Sequence, residues 1–333
     1  MKKRLALAAC IAFLATGDAF ADSKLLVSSL LIDSSIAAPV LQYRVDRTNG
    51  DGYAIGLSGW TVGGEWRRAW SQSTALLLSA DLTPLHAHSS NRIYVDGRRE
   101  KDLEYDDASY RVKGGVRFVP TAYSTTDLQL VVLKESISGA SDPALADFWK
   151  RPYAGVEIAH TLSFLSSPHP LVSVPEGIEG IARGEAFSGK RSWSRLSLAE
   201  RGGKQIGRLH LRQAVMAMSG SRLNSVNRFL VGGSWDTLGP SAFYGSRYAE
   251  YRLQRGVTGS AGGDLSLGGN WRAGLRASYL NGDAVRAFGS ALNTSTTWKT
   301  VGLNLGIGRA RQEHGRNHTT VYAAIVAPLY QKK

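Results

Sequence analysis

The chain has 333 residues, with 40 Lys and Arg against 27 Asp and Glu, and a formal net charge of +13 at pH 7. Its 37 Gly, 13 Tyr and 8 Trp stand beside 3 Met, 10 Pro and a single cysteine, Cys10. This composition argues against a helical protein and against a disulfide-stapled scaffold. No stretch after the first residues has eighteen consecutive apolar residues, so no membrane helix is predicted.

The chain opens MKKRLALAACIAFLATGDAFADSK. Lys2, Lys3 and Arg4 form a basic start, Leu5 to Ala15 an apolar core, and Ala19-Phe20-Ala21 a small-residue cleavage site. Residues 1–21 therefore read as a secretory signal peptide, and the mature chain is expected to start at Asp22. Leu7-Ala8-Ala9-Cys10 also resembles a lipoprotein box. Cleavage there leaves an apolar core of about five residues, against the ~7–15 expected. Loss of Lys2, Lys3, Arg4 and Asp18 lowers the formal charge from +13 to +11. In an exported chain that charge points to an anionic lipid surface or an acidic solute, not to nucleic acid.

Residues 22–36 are assigned to a short N-terminal segment whose apolar KLLVSSLLID run reads as either a first strand or a periplasmic tail. From residue 37 to 330 the sequence reads as one strand after another. Leu41, Tyr43 and Val45 alternate with Gln42, Arg44 and Asp46, and Asn49-Gly50-Asp51-Gly52 is a turn signal. Tyr53, Ile55 and Leu57 continue the alternation, Val62 to Trp70 carries two tryptophans, and Leu76, Leu78, Ala80 and Leu82 follow. Residues 84–107 are polar and read as a long loop, with a hairpin around Asp96-Gly97. Val112, Gly114, Val116 and Phe118 then oppose Arg111, Lys113 and Arg117. Leu128, Leu130 and Val132 come next, then Val156 and Ile158 opposite Glu157. Asp142 to Lys150 is predicted as a helical turn in a loop. Segments at 178–187, 193–200 and 206–218 precede a glycine-rich loop. The stretch from Arg247 to Gln254 is read as a wall strand with Ala249, Tyr251 and Leu253 on its lipid side. Trp271 to Tyr279, Val301 to Ile307 and Val321 to Leu329 close the chain with alternation of the same kind.

Two faces decide the fold class. The polar faces repeatedly carry Arg and Lys, while the apolar faces carry Leu and Val bracketed by Trp or Tyr. Segments of about ten residues with this pattern are the signature of an antiparallel transmembrane β-barrel. The aromatic rings sit at headgroup level, and closure leaves no unpaired edge. The fold class is therefore all-β, with 12 to 16 strands expected. The uncertainty in number arises because 53–70 and 263–279 each read equally as one strand or two.

The stretches RLHLRQAVMAMSG, NRFLVGGSWDTLGP and YGSRYAEYRL resemble the Bam/Tam surface-antigen superfamily of outer-membrane barrels. That superfamily includes two-partner-secretion transporters and the barrel ends of patatin-like phospholipases. Phe229, Gly232, Gly233, Gly245, Tyr248, Glu250, Tyr251 and Arg252 match its frame, and the resemblance covers about 176–329. It implies a loop folding into the lumen as a lid, with Phe229, Gly232, Gly233, Trp235, Asp236, Gly239 and Pro240 in this chain. The tip reads Trp235-Asp236-Thr237-Leu238-Gly239-Pro240 and lacks the tip arginine of the superfamily. The superfamily's periplasmic modules also have no counterpart before the first strands.

The expected location is the bacterial outer membrane, after cleavage near Ala21. The expected partners are its lipid and lipopolysaccharide, the barrel-assembly machinery during biogenesis, and an anionic solute or a secreted partner. Arg111, Lys113, Arg117, Arg208, Arg212, Arg252, Arg272 and Arg276 are assigned to the lumen, where confined cations favour anions unless carboxylates pair them. His88-Ser89-Ser90-Asn91 resembles the site pattern of outer-membrane phospholipase A and lipid A deacylases. On a strand His88 and Ser90 would share one face, as a base and its nucleophile must. The same composition is ordinary for a solvated loop, so the expected function is non-enzymatic, a pore or protein/lipid translocation barrel with its lid near residues 227–246, and the alternatives are a lipid hydrolase using His88 and Ser90 or a structural, adhesin-like barrel. Asp81, Asp96, Asp102, Glu104, Asp106 and Asp107 lack a calcium-loop spacing. No metal and no cofactor are expected.

Overall fold

The computed structural model describes residues 23–33, 37–58, 61–83, 94–95, 98–99, 106–138, 152–165, 176–189, 191–223, 227–234, 240–247, 249–283, 285–299, 301–313, 315 and 317–332. Sixteen strands form a closed antiparallel barrel. They are β1 (Ser23–Asp33), β2 (Ala37–Asp46), β3 (Gly52–Ser58), β4 (Thr61–Ala69), β5 (Thr74–Thr83), β8 (Asp106–Thr121), β9 (Ser124–Ser138), β10 (Tyr153–Ser163), β11 (Gly177–Ser188), β12 (Trp193–Ile206), β13 (Leu209–Ser221), β16 (Arg255–Gly268), β17 (Trp271–Gly282), β18 (Arg286–Trp298), β19 (Val301–Gln312) and β20 (His318–Lys332). Two small ladders lie outside the wall: β6 (Tyr94–Val95) with β7 (Arg98–Arg99), and β14 (Phe229–Val231) with β15 (Tyr251–Leu253). The expected strand count thus resolves at its upper end, because 53–70 and 263–279 each split into two strands. The first break falls beside Gly52–Ser58 and the second at the Gly268–Trp271 turn.

Closure involves the first described strand. β1 pairs with β2 from Ser23↔Asp46 onward and with β20 from Lys24↔Lys332 to Asp33↔Tyr322. Most of the segment assigned to 22–36 is thus a wall strand, and the barrel begins at Ser23 rather than at residue 37. Apolar KLLVSSLLID shows no clean alternation, and of its two readings the structure bears out the first strand and not the periplasmic tail.

The period-two pattern becomes an outside and an inside. Leu78, Leu130, Ile158, Leu198, Leu275 and Leu292 are each at least half exposed, and they point away from the lumen. An unbroken exposed apolar belt of this kind is stable only against lipid. With sixteen strands both termini lie at one end, and short turns such as Thr121 to Ser124 and Ile206 to Leu209 lie there too. In outer-membrane barrels this is the periplasmic end. Trp70, Tyr123, Phe164, Trp271 and Trp298 are exposed around it, and Tyr123 stacks on Phe164 at 5.1 Å. Tyr110, Tyr279 and Phe288 mark the opposite rim, with Tyr279 and Phe288 at 5.0 Å. Trp271 and Tyr279 stand at the two ends of β17. Eight residues span ~26 Å along a strand, which a tilt of 35–45° shortens to about 20 Å, close to the ~25 Å apolar band of such barrels.

Candidate functional site

Inward positions of β8 to β12 carry charge. Glu157 on β10 accepts from Arg111 at 2.9 Å, from Lys113 at 3.2 Å and from Arg183 at 2.7 Å. Glu185 on β11 accepts from Arg111 at 2.6 Å and from Arg195. These carboxylates have side chains only 5% and 1% exposed. Charges so buried are tolerable only in mutual contact, because desolvation costs several kcal/mol per ion. The cluster ties β8, β10, β11 and β12 across the lumen face. Its four cations against two carboxylates leave two formal positive charges. Nearby, Arg117 binds Asp127 through two bonds of 2.7 Å. Further around, Asp264 on β16 takes Arg276 at 2.8 Å and also Arg212, leaving one positive charge. Asp46 takes Arg44 at 2.7 Å and Arg67 at 2.8 Å, leaving another.

Of the eight cations assigned to the lumen, Arg111, Lys113, Arg117, Arg212, Arg272 and Arg276 lie on inward faces. The other two do not line the wall. Arg208 sits exposed in the turn between β12 and β13, where the face alternation ends. Arg252 lies on β15, inside the lumen rather than in its wall. The same correction applies to its neighbours. Tyr251 and Leu253 are 4% and 1% exposed and do not face lipid. A period of two describes any strand, and β15 pairs with β14 instead of a wall strand. The wall resumes only at Arg255.

The long connection between β13 and β16 enters the barrel. Val231, Phe243, Tyr251 and Leu253 pack against Met218, Leu280, Ala287 and Ala310, which are inward residues of the wall. Phe243 meets Tyr251 edge-on at 5.2 Å. Gly232 and Gly233 have φ of 139° and 96°, and they turn the chain from β14 toward the segment Ala242–Ser246. Gly233 N–H donates to Ser246 Oγ at 3.0 Å, and Gly245 N–H donates to Ser234 Oγ at 2.9 Å.

That segment docks on backbone. Tyr244 N–H donates to Ser278 Oγ on β17 at 3.0 Å, and Thr320 Oγ1 on β20 donates to the Gly245 carbonyl at 3.1 Å. Gly245 has φ of 86°, and a Cβ there would lie 2.5 Å from the Arg309 amide nitrogen. On β19, a Cβ at Gly308 would lie 2.7 Å from Gly245 Cα. On β18, a Cβ at Gly289 would lie 2.9 Å from the Phe243 ring. His318 Nε2 approaches Glu250 Oε2 at 2.9 Å, and Glu250 also accepts from the Arg247 amide at 2.9 Å. At the root of the loop, Arg195 donates to the Asn227 carbonyl at 3.2 Å and lies over the Phe229 ring at 5.7 Å.

Phe229, Gly232, Gly233 and Pro240 of the expected lid are described, whereas Trp235, Asp236 and Gly239 lie outside the described residues. Of the anchoring residues, Gly245 belongs to the frame matched by sequence, whereas Tyr244, Ser278, Gly289, Gly308 and Thr320 were not singled out. A signal existed: the inward positions of β18 and β19 read Ala287, Gly289, Ala291 and Gly306, Gly308, Ala310, too small to fill a lumen unaided. His88, Ser90, Asp96, Asp102, Glu104 and the 142–150 turn lie outside the described residues, and Asp106 and Asp107 are described only as backbone in β8. Asp81 faces the lumen from β5. Opposite the docked loop, a cavity of about 520 Å³ follows the inner faces of β2 to β5 and reaches Lys113.

No family model matches the sequence, and no curated protein is similar to it. Among solved structures, BamA from Haemophilus ducreyi lacking POTRA domains 1-3 shares the fold with a TM-score of 0.63 at 8% identity, over 91% of this chain and 70% of that one. CdiB from Escherichia coli gives 0.57 at 14% identity, over 91% and 62%. CdiB from Acinetobacter baumannii gives 0.56 at 11% identity, over 92% and 60%. The chain therefore spans less than two thirds of either CdiB. The likeness is one of fold, an outer-membrane β-barrel, and it agrees with the resemblance carried by residues 176–329.

Proposed function

We propose that this outer-membrane barrel is a pore or translocation-type barrel whose lumen favours anionic hydrophilic solutes and is narrowed by the inward loop. The observation that carries the reading is the loop itself. It is held inside the wall by backbone hydrogen bonds to Ser278 and Thr320, on a cradle of glycines. A barrel with no traffic through it has no need of a shaped obstruction. The three clusters around Glu157 and Glu185, Asp264 and Asp46 each keep more cations than carboxylates. In a confined low-dielectric space such an excess raises the potential and draws anions. Residues 1–21 serve as the export signal in this reading, lipid and lipopolysaccharide surround the exposed belt, and the barrel-assembly machinery inserts it.

The test is deletion of Trp235 to Pro240 in the full chain, reconstituted in planar bilayers. Single-channel conductance rises if the loop obstructs the lumen. An unchanged conductance ends the lid assignment.

A further inference from the structure

The lumen is filled unevenly. On the side of β13 and β16 to β20, the loop buries Val231, Phe243 and Leu253 against the wall. On the side of β2 to β5 the inner face borders open space, where small residues stand among Gln42, Glu65, Asp81 and Lys113. Gly52, Ala54 and Gly56 line β3, Gly63 lies on β4, and Ser79 on β5. These are the positions around the cavity of about 520 Å³. The wall is also lowest here, since β3 has 7 residues and β4 has 9. At the periplasmic end of this strip, Arg44 and Arg67 converge on Asp46 at 2.7 and 2.8 Å, so the mouth keeps one formal positive charge.

We infer that small hydrophilic solutes pass along the inner face of β2 to β5 while the loop stays docked, so that the loop is a fixed filler of one side and not a stopper for the whole lumen. The inference rests on the pore reading and adds the route. A path needs width, polar lining and a favourable field at its mouth. Ala54 and Gly56 supply the width, Gln42, Glu65, Ser79, Asp81 and Lys113 supply the polar lining, and the Arg44–Asp46–Arg67 triad sets a positive field at the mouth alone. The docked side lacks the width, because the loop's buried apolar groups cover its wall.

Cysteine labelling separates the two sides. The only cysteine is Cys10, so introduced thiols report cleanly once residues 1–21 are absent. Ala54→Cys and, as a second site, Ser79→Cys face the cavity; Ala291→Cys lies behind Tyr244 and is 3% exposed. Each variant is reconstituted in planar bilayers in potassium chloride and treated with sulfonatoethyl methanethiosulfonate. Ala54→Cys and Ser79→Cys should lose about half or more of their conductance, as a blocked path requires, and Ala291→Cys should keep its own. Parent channels that conduct, with no loss at either cavity thiol, overturn the route and leave the pore reading standing. Loss at Ala291→Cys alone places the path on the docked side and also overturns the route. A parent that never conducts overturns both.

Discussion

Replacing Gly308 by alanine puts one methyl group where the docked loop meets the wall. The new Cβ would sit 2.7 Å from both Gly245 Cα and its amide nitrogen, and 3.0 Å from the Ser290 carbonyl. All three neighbours are backbone, so no side chain can swing away. A carbon pair needs about 3.5–4.0 Å, so the Ala242–Ser246 segment must lift by about 1 Å. Overpacking of this kind costs ~1–3 kcal/mol. Lifting also stretches the bonds to Ser278 and Thr320, each contributing about 1 kcal/mol net. A total near 3 kcal/mol shifts docked against undocked loop about a hundredfold. Single-channel recording reads this directly, as frequent excursions to a larger conductance that are rare in the parent. Ile307→Leu, on the lipid side of the same strand, serves as the control. Gly308→Ala channels that gate and conduct like the parent, in a chain that still folds, would refute docking by close backbone approach.

Three further outcomes follow from the same physics. Glu185→Ala takes the carboxylate from Arg195 and leaves Arg111 with Glu157 alone, and loss of one partner from so buried a cluster costs ~3–5 kcal/mol. The temperature at which the folded band converts to the unfolded one on a gel should fall, and an unchanged temperature denies the cluster a structural role. Leu130→Arg, at a lipid-facing position 71% exposed, should cost ~2–4 kcal/mol in denaturant titrations from lipid vesicles; no cost would show that this face does not meet lipid. The Tyr251 phenol is pushed up by burial first and then by the Glu250 charge, against a bond to Gln312 that acts the other way. Its folded value lies above the unfolded value near ~10, so its contribution is intact below about pH 10 and lost as pH rises beyond it. Stability of the parent should therefore decline more steeply above that pH than stability of Tyr251→Phe, and parallel declines would place Tyr251 in water.

The wall was legible because lipid on one side and a wet, charged lumen on the other impose opposite chemistries on alternate residues. Leu130 beside Gln129 and Val156 beside Glu157 carry that contrast in the sequence. The loop was only half legible. Its glycines announced irregular backbone, but Tyr251 and Leu253 alternate as well inside the barrel as they would in its wall, since period two reports a strand and not its solvent. β1 was obscured for the opposite reason, as its inward Leu31 packs on Tyr244 and Tyr322 and needs no charge. The pairing of Arg111 with both Glu157 and Glu185 joins residues 46 and 74 positions apart. Only strand register brings such residues together, and a single sequence does not print register.

Current through the reconstituted chain tests the pore most directly. The reversal potential of parent channels in a potassium chloride gradient measures what the excess of lumen cations does. The predicted sign is that of a chloride-preferring pore, moving toward zero in Arg44→Gln/Arg67→Gln. A cation-preferring potential, or bilayers that stay silent, would contradict it.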